Sequence, residues 1–284
     1  NDNGYSNTGL GDRALYSNSN GWDNTAIGDS ALFNENGGIE NTALGSHALF
    51  SSNANGFGGG PNTAIGAYAL YSTKSGFSNT AVGTKALYNN KKFSNTAVGD
   101  HSLYRNDIGQ YNVAMGEASL SGNTNGNWNV GIGLGAGSNN NGNDNVFIGA
   151  EAGFNNCFNC SGSVFIGRKA GWNESESNKL YIANHEEPLI YGDFSTKQVL
   201  IGGNPLTPNI LPPGYTLYVT KGILTEKIKV AVAGTNDWSD YVFSKNSEER
   251  RYNVLSKITL TSSVITPAFG PHFISFAVKL REGE

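Results

Sequence analysis

Charge is scarce in this chain of 284 residues: only 15% are Asp, Glu, Lys or Arg, and the formal net charge is −4. An average globular protein carries about 25%. No Lys/Arg run occurs, which argues against nucleic acid or an anionic membrane surface as a main partner. No stretch approaches the roughly 18–20 apolar residues that a helical membrane span requires. Catalytic patterns are missing too. There is no G-x-S-x-G, P-loop or H-E-x-x-H, and His47, His101, His185 and His272 are scattered. The expectation is a chain that is not an enzyme and carries no cofactor or catalytic metal. What is abundant is turn chemistry: Gly occurs 38 times and Asn equally often. That composition points to many short strands and tight corners. The chain opens at Asn1-Asp2-Asn3-Gly4 without Met, so a processed or trimmed product is expected.

The phrase Asn24-Thr25-Ala26-Ile27-Gly28, followed by Ala31-Leu32-Phe33, returns along the chain. Its closing glycines are Gly11, Gly28, Gly45, Gly66, Gly83, Gly99, Gly116, Gly133, Gly149 and Gly167, mostly 16–18 residues apart with one interval of 21. A period this short suits one coil of a parallel β-solenoid, or β-roll, and predicts an all-β fold of about ten coils.

Each column has a physical role. Before the glycine stand Leu10, Ile27, Leu44, Ile65, Val82, Val98, Met115, Ile132, Ile148 and Ile166. Stacked at the strand spacing, they are expected to form the internal hydrophobic core ladder. Two residues earlier, on the same face, run Thr8, Thr25, Thr42, Thr63, Thr80 and Thr96, then Val113, Val130, Val146 and Val164. β-Branched residues suit a pleated position. Core packing therefore explains the Thr row better than an ice-binding face does. Between the two columns lies small Ala26, Ala43, Ala64, Ala81, Ala97 and Ala114, replaced later by Phe147 and Phe165. The opposite face is thus expected against another backbone. A second segment carries Leu15, Leu32, Leu49, Leu70, Leu87, Leu103 and Leu120, with Ala136-Gly137, Ala152-Gly153 and Ala170-Gly171 in later coils. Tyr16, Phe33, Phe50, Tyr71, Tyr88 and Tyr104 follow the first six leucines. They form either a packing ladder or a stacking stripe for glycans and other partners.

The recurring N-T-A-I-G-x-x-A-L, with its later N-V-F-I-G-x-x-A-G form, resembles the head repeats of YadA-like trimeric autotransporter adhesins. It resembles still more the longer-period repeats of Bacteroidetes surface and fibre proteins. The resemblance covers about 60% of the chain. It implies a left-handed roll, three chains side by side as a homotrimer with small residues at the axis, and a role in adhesion at the cell surface. Partners implied are sister chains and surface glycans or host and matrix proteins. A receptor-binding tail fibre of a phage or contractile injection system is the alternative.

The period fails from Asn178. Residues 1–177 are expected to be the roll, residues 178–243 a β-rich neck or cap, and residues 244–284 a divergent segment. Short strands are expected at Lys179–Ala183, Leu189–Tyr191, Gln198–Ile201, Tyr215–Thr220, Gly222–Ala231, Lys257–Thr261 and Phe273–Val278, with a Pro-rich linker from Asn204 to Gly214. Cys157 and Cys160 sit in a coil-to-coil loop. Their spacing admits a disulfide, buried thiols, or half of a zinc or redox site.

Overall fold

In the computed structural model the described residues are 4–34, 37–51, 59–73, 76–155, 157–202 and 216–220. The Pro-rich stretch 204–214, the expected strands at 222–231, 257–261 and 273–278, His272 and the whole of 244–284 lie outside them. Two compact units are present, residues 1–211 with 216–218, and residues 212–215 with 219–284. All the strands of the roll belong to the first unit.

Every regular element among the described residues is a β-strand. Ten three-residue strands carry the repeat: β1 Thr8–Leu10, β2 Thr25–Ile27, β3 Thr42–Leu44, β4 Thr63–Ile65, β5 Thr80–Val82, β6 Thr96–Val98, β7 Val113–Met115, β8 Val130–Ile132, β9 Val146–Ile148 and β10 Val164–Ile166. Each pairs in parallel with the next, column on column: Thr25 faces Thr42, Ala26 faces Ala43, and Ile27 faces Leu44. The fold is the parallel β-solenoid that the period predicted.

The coil does not stop where the period becomes hard to see. Strand β11, Lys179–Ala183, pairs in parallel with β10, setting Tyr181 on Phe165 and Ile182 on Ile166. An eleventh turn therefore exists, concealed because Lys179 stands in the Asn column and Ala183 in the Gly column. Strands β12 (Pro188–Asp193) and β13 (Gln198–Ile201) then extend the sheet antiparallel. Strand β14 (Leu217–Val219) lies beside β13 at the end of the sheet order. Residues 179–201 thus continue the sheet of the roll.

Turn chemistry follows from the corner each coil must make. After Gly28 (φ 136°) the chain places Ser30 and Leu32 in left-handed conformation, at φ 53° and 49°. A Cβ on Gly28 would lie 2.6 Å from the Gly45 carbonyl oxygen, so from Gly11 to Gly167, where another coil follows, this column stacks backbone on backbone and admits only glycine. Leucine in the left-handed region costs about 1–2 kcal/mol. Complete burial of Leu32, Leu49, Leu70, Leu87, Leu103 and Leu120 offsets that, at about 1.5–3 kcal/mol each.

The core is this leucine column together with the central residue of each strand. Ala26, Ala43, Ala64, Ala81, Ala97 and Ala114 are fully buried, as are Phe147 and Phe165. The late change of sequence is a volume exchange within the coil. Where Phe147 and Phe165 replace Ala, Gly153 and Gly171 replace Leu at the same left-handed position (φ 64° and 61°). A Cβ on Gly153 would meet Phe147 Cε1 at 2.6 Å. The transitional coil has Gly at both places, and its space is filled from both sides. Leu120 presses on Gly131 from one neighbouring coil and Phe147 on Gly137 from the other.

Candidate functional site

Strand alternation puts the first and third residues of each strand on one face and the second on the other. The second residue faces inward. The expected internal ladder is therefore corrected: its members lie on the outer surface of the coil. Leu10 is 67% exposed, and Leu44, Ile65, Met115, Ile132, Ile148 and Ile166 are also exposed, while Ile27, Val82 and Val98 are half-buried. The small column, expected against another backbone, lines the coil interior and packs with the leucines. The physical reason is the narrowness of the coil. Three-residue strands enclose space for one central residue and the turn Leu, so the first and third residues of each strand lie outward. Alternation shows that two faces exist; it does not show which is inside. The outward face is thus two continuous columns, Thr/Val and Leu/Ile/Val/Met, running across β1–β10.

The aromatic stripe is a stack. Tyr16, Phe33, Phe50, Tyr71 and Tyr88 follow one another at ring-centroid distances of 4.9–5.0 Å and within 9° of parallel. Tyr104 continues the row at 5.2 Å. Burial, then the neighbouring phenols of Tyr71, Tyr104 and Tyr68, push the Tyr88 hydroxyl pKa up. Each interior ring lends its faces to its neighbours, so the stripe presents ring edges outward. His47 joins it, stacked on Phe50 at 5.2 Å and on Tyr68 at 5.0 Å.

Sequence reasoning passed over two features. The first is the Asn column that opens the repeat phrase. Asn24, Asn41, Asn62, Asn79, Asn95, Asn112, Asn129 and Asn145 are buried. Asn112 Oδ1 accepts from the Asn129 backbone N–H at 2.9 Å, and Asn112 Nδ2 donates to the Gly126 carbonyl at 2.8 Å. The same pattern ties Asn129 to Asn145 and to Gly142. A parallel column, Asn90, Asn106 and Asn123, is likewise linked amide to amide. The signal was the persistence of Asn at one place in the repeat, read only as turn composition.

The second is another aromatic series just before the Asn column. Tyr5 stacks on Trp22, Phe77 on Phe93, and Tyr111 on Trp128, the last at 5.8 Å and 2°. Its members stand two residues before Asn in some coils and one before in others, which hid the series from column alignment.

Cys157 and Cys160 are buried and joined as a disulfide. Asn140 Nδ2 donates to the Cys157 carbonyl at 2.7 Å and to the Cys160 carbonyl at 2.9 Å, so the bridge stands where the second Asn column ends. Beyond it lies a polar cluster. Tyr181 donates its hydroxyl to Glu174 Oε2 at 2.8 Å, and Lys179 Nζ reaches both Asp193 Oδ2 and Glu176 Oε2 at 2.9 Å. Burial and the adjacent Glu174 carboxylate raise the Tyr181 pKa. Burial opposes the charge on Lys179, but the hydrogen bonds to Asp193 and Glu176 outweigh it and raise its pKa. At Asp193 burial is likewise outweighed, here by Lys179 and the N–H groups of Thr196 and Ser195, which lower its pKa.

His47, His101 and His185 are not brought together, and the described residues hold no group of three or more metal-ligating side chains. No described helix is long and apolar enough to cross a membrane. Comparison with protein-family models, with curated proteins and with solved structures found no match.

Proposed function

We propose that this chain is an extracellular structural and adhesive protein, whose rolls associate side by side as a homotrimer through the outward face of β1–β10. The observation that carries this is a ten-strand parallel run, β1–β10, with one face uncovered. Parallel sheets are ordinarily covered on both faces, and here the coil interior covers only one. The other presents Leu10, Leu44, Ile65, Met115, Ile132, Ile148 and Ile166 to solvent in unbroken register. A contiguous apolar surface of this kind marks an interaction site. Its regular period matches nothing so well as another copy of itself.

The number three comes from the resemblance to YadA-like head repeats, and with it the role of a head or stalk in surface attachment. A disulfide at Cys157–Cys160 suits an oxidising, extracellular setting. Ten strands at about 4.8 Å make a rod of roughly 45 Å, long enough to hold a binding surface away from its base. Surface glycans and host or matrix proteins are the partners this role implies.

Sedimentation equilibrium of the whole chain at micromolar concentration tests the proposal. The expected mass is three chains, and Ile132→Asp with Ile148→Asp should yield a folded monomer. A wild-type monomer, or a trimer indifferent to both charges, would sink it.

A further inference from the structure

In all coils but the one that carries Pro61, the residue before the Asn column takes a left-handed conformation. Most coils meet this with small or polar residues: Ser6, Asp23, Glu40, Ser78, Ser94, Asp144, Gly162 and Asn178, at φ between 53° and 65°. Two successive coils instead place Tyr111 (φ 59°) and Trp128 (φ 55°) there. Bulky residues rarely adopt this conformation. Arg13, His47, Tyr68, Lys85 and His101 take it at another corner of the coil without full burial, so the angle belongs to the fold. What sets Tyr111 and Trp128 apart is a stacked aromatic pair left 43% and 55% exposed.

The pair is held firmly. Trp128 N–H donates to the Gln110 carbonyl at 3.2 Å, and Asp144 N–H to the Asn127 carbonyl at 3.0 Å, so successive coils fix the backbone on both sides. Tyr111 covers one face of the indole. More than half of the Trp128 surface is accessible although Tyr111 takes one face, and the following coil lies on the side of the other. There the equivalent residue is exposed Asp144, beside Asn143. Asn143 accepts from Asn127 through its Oδ1, which leaves its Nδ2 as the donor of that amide, and the residue is half-buried. An exposed aromatic ring beside a carboxylate and an amide donor is the chemistry that recognises a pyranose: ring C–H groups on the indole, hydroxyls on the polar atoms.

This column is also unsuited to the self-association face. Asp23, Glu40 and Asp144 belong to it, and sister chains would have to bury those charges. The aromatic pair is therefore available to a ligand in the assembled protein.

We propose that Trp128, backed by Tyr111 and flanked by Asp144 and Asn143, is a saccharide-binding platform that takes a hexopyranose unit of a surface glycan. This deepens the adhesive reading and rests on it. The test uses the whole chain with methyl β-glucopyranoside, methyl β-galactopyranoside and N-acetylglucosamine oligomers, followed by saturation-transfer NMR and titration. Binding is expected in the millimolar range for a single unit. Trp128→Ser, which installs a residue that other coils already use here, should weaken it at least tenfold with thermal stability unchanged or raised. Asp144→Ala should weaken it severalfold, and Trp22→Phe should leave it intact. Failure of every pyranose to bind the wild-type chain, or equal binding by Trp128→Ser, would overturn the platform. Sedimentation of the same samples reports the trimer separately, so loss of one claim is distinguishable from loss of the other.

Discussion

A buried carboxamide can accept and donate at once, and the Asn column uses both capacities coil after coil. Asn112 accepts from the Asn129 N–H and donates to Gly126 and to Asn95 Oδ1. Asp could not supply the donor, and Ser could not span both partners. Asn112→Ala strands the buried Asn129 N–H, while the Gly126 carbonyl keeps Asn123 Nδ2 as a donor. The expected loss is about 1–3 kcal/mol, read from the midpoint of urea unfolding, and Asn112→Asp should be no better. A loss under about 1 kcal/mol would mean that the backbone, not the ladder, holds the corner. The glycine corner and the small central residue were both visible in the chain as columns. The Asn ladder was visible as a column also, but its meaning depends on which groups are buried together, and spacing alone does not carry that. The Trp128 platform was less legible still, because its significance lies in which stacked rings the coils leave exposed.

At the scale of one coil, the interior is a fixed volume shared between the strand centre and the left-handed turn residue. Early coils divide it as Ala and Leu, later ones as Phe and Gly, with Gly131 and Gly137 at the joint. That exchange predicts a strong coupling. Ala81→Phe alone overfills the coil, costing about 1–3 kcal/mol. Leu87→Gly alone opens a cavity, costing about 2–5 kcal/mol less a small relief of the left-handed strain at φ 51°. The two together reproduce the pairing of Phe147 with Gly153, although Leu70 keeps the bulk that Gly137 lacks beside Phe147, and should recover about 1 kcal/mol or more of the summed loss in a double-mutant cycle. Strict additivity would show that the two dialects are unrelated. The same narrow interior explains why the core ladder was assigned to the wrong face. Size ranks residues for burial in an ordinary sheet, whereas a three-residue coil selects its interior by what fits. The eleventh coil went unread for a related reason: Lys179 and Ala183 keep the backbone path while breaking the letters that marked it.

As a whole, the roll contacts itself only between neighbouring coils, so its stability is a chain of nearest-neighbour terms and its ends decide where opening begins. At the C-terminal end the Asn column gives way to Ser163 and then Lys179, whose ammonium is held between Glu176 and Asp193. The lowered Asp193 pKa means that its contribution is present above about pH 4, the ordinary carboxylate value, and is lost as acid protonates it below that. The raised pKa values of Lys179 and Tyr181 act on the other side. Their contribution is full below about pH 10 and is lost as base removes those protons above it. The terminal clasp is therefore at full strength between about pH 5 and 9. Outside that window the last coils should open first, while central coils held by Asn amides, which do not titrate, keep their protection. Hydrogen exchange from about pH 3 to about pH 7, corrected for intrinsic rates, should show β10 and β11 losing protection on acidification well before β5 and β6. In Asp193→Asn the difference between the two regions should no longer change with pH. Uniform loss across all coils would instead place the acid-sensitive group in the body of the roll, and would remove the clasp from any account of how this rod keeps its end closed.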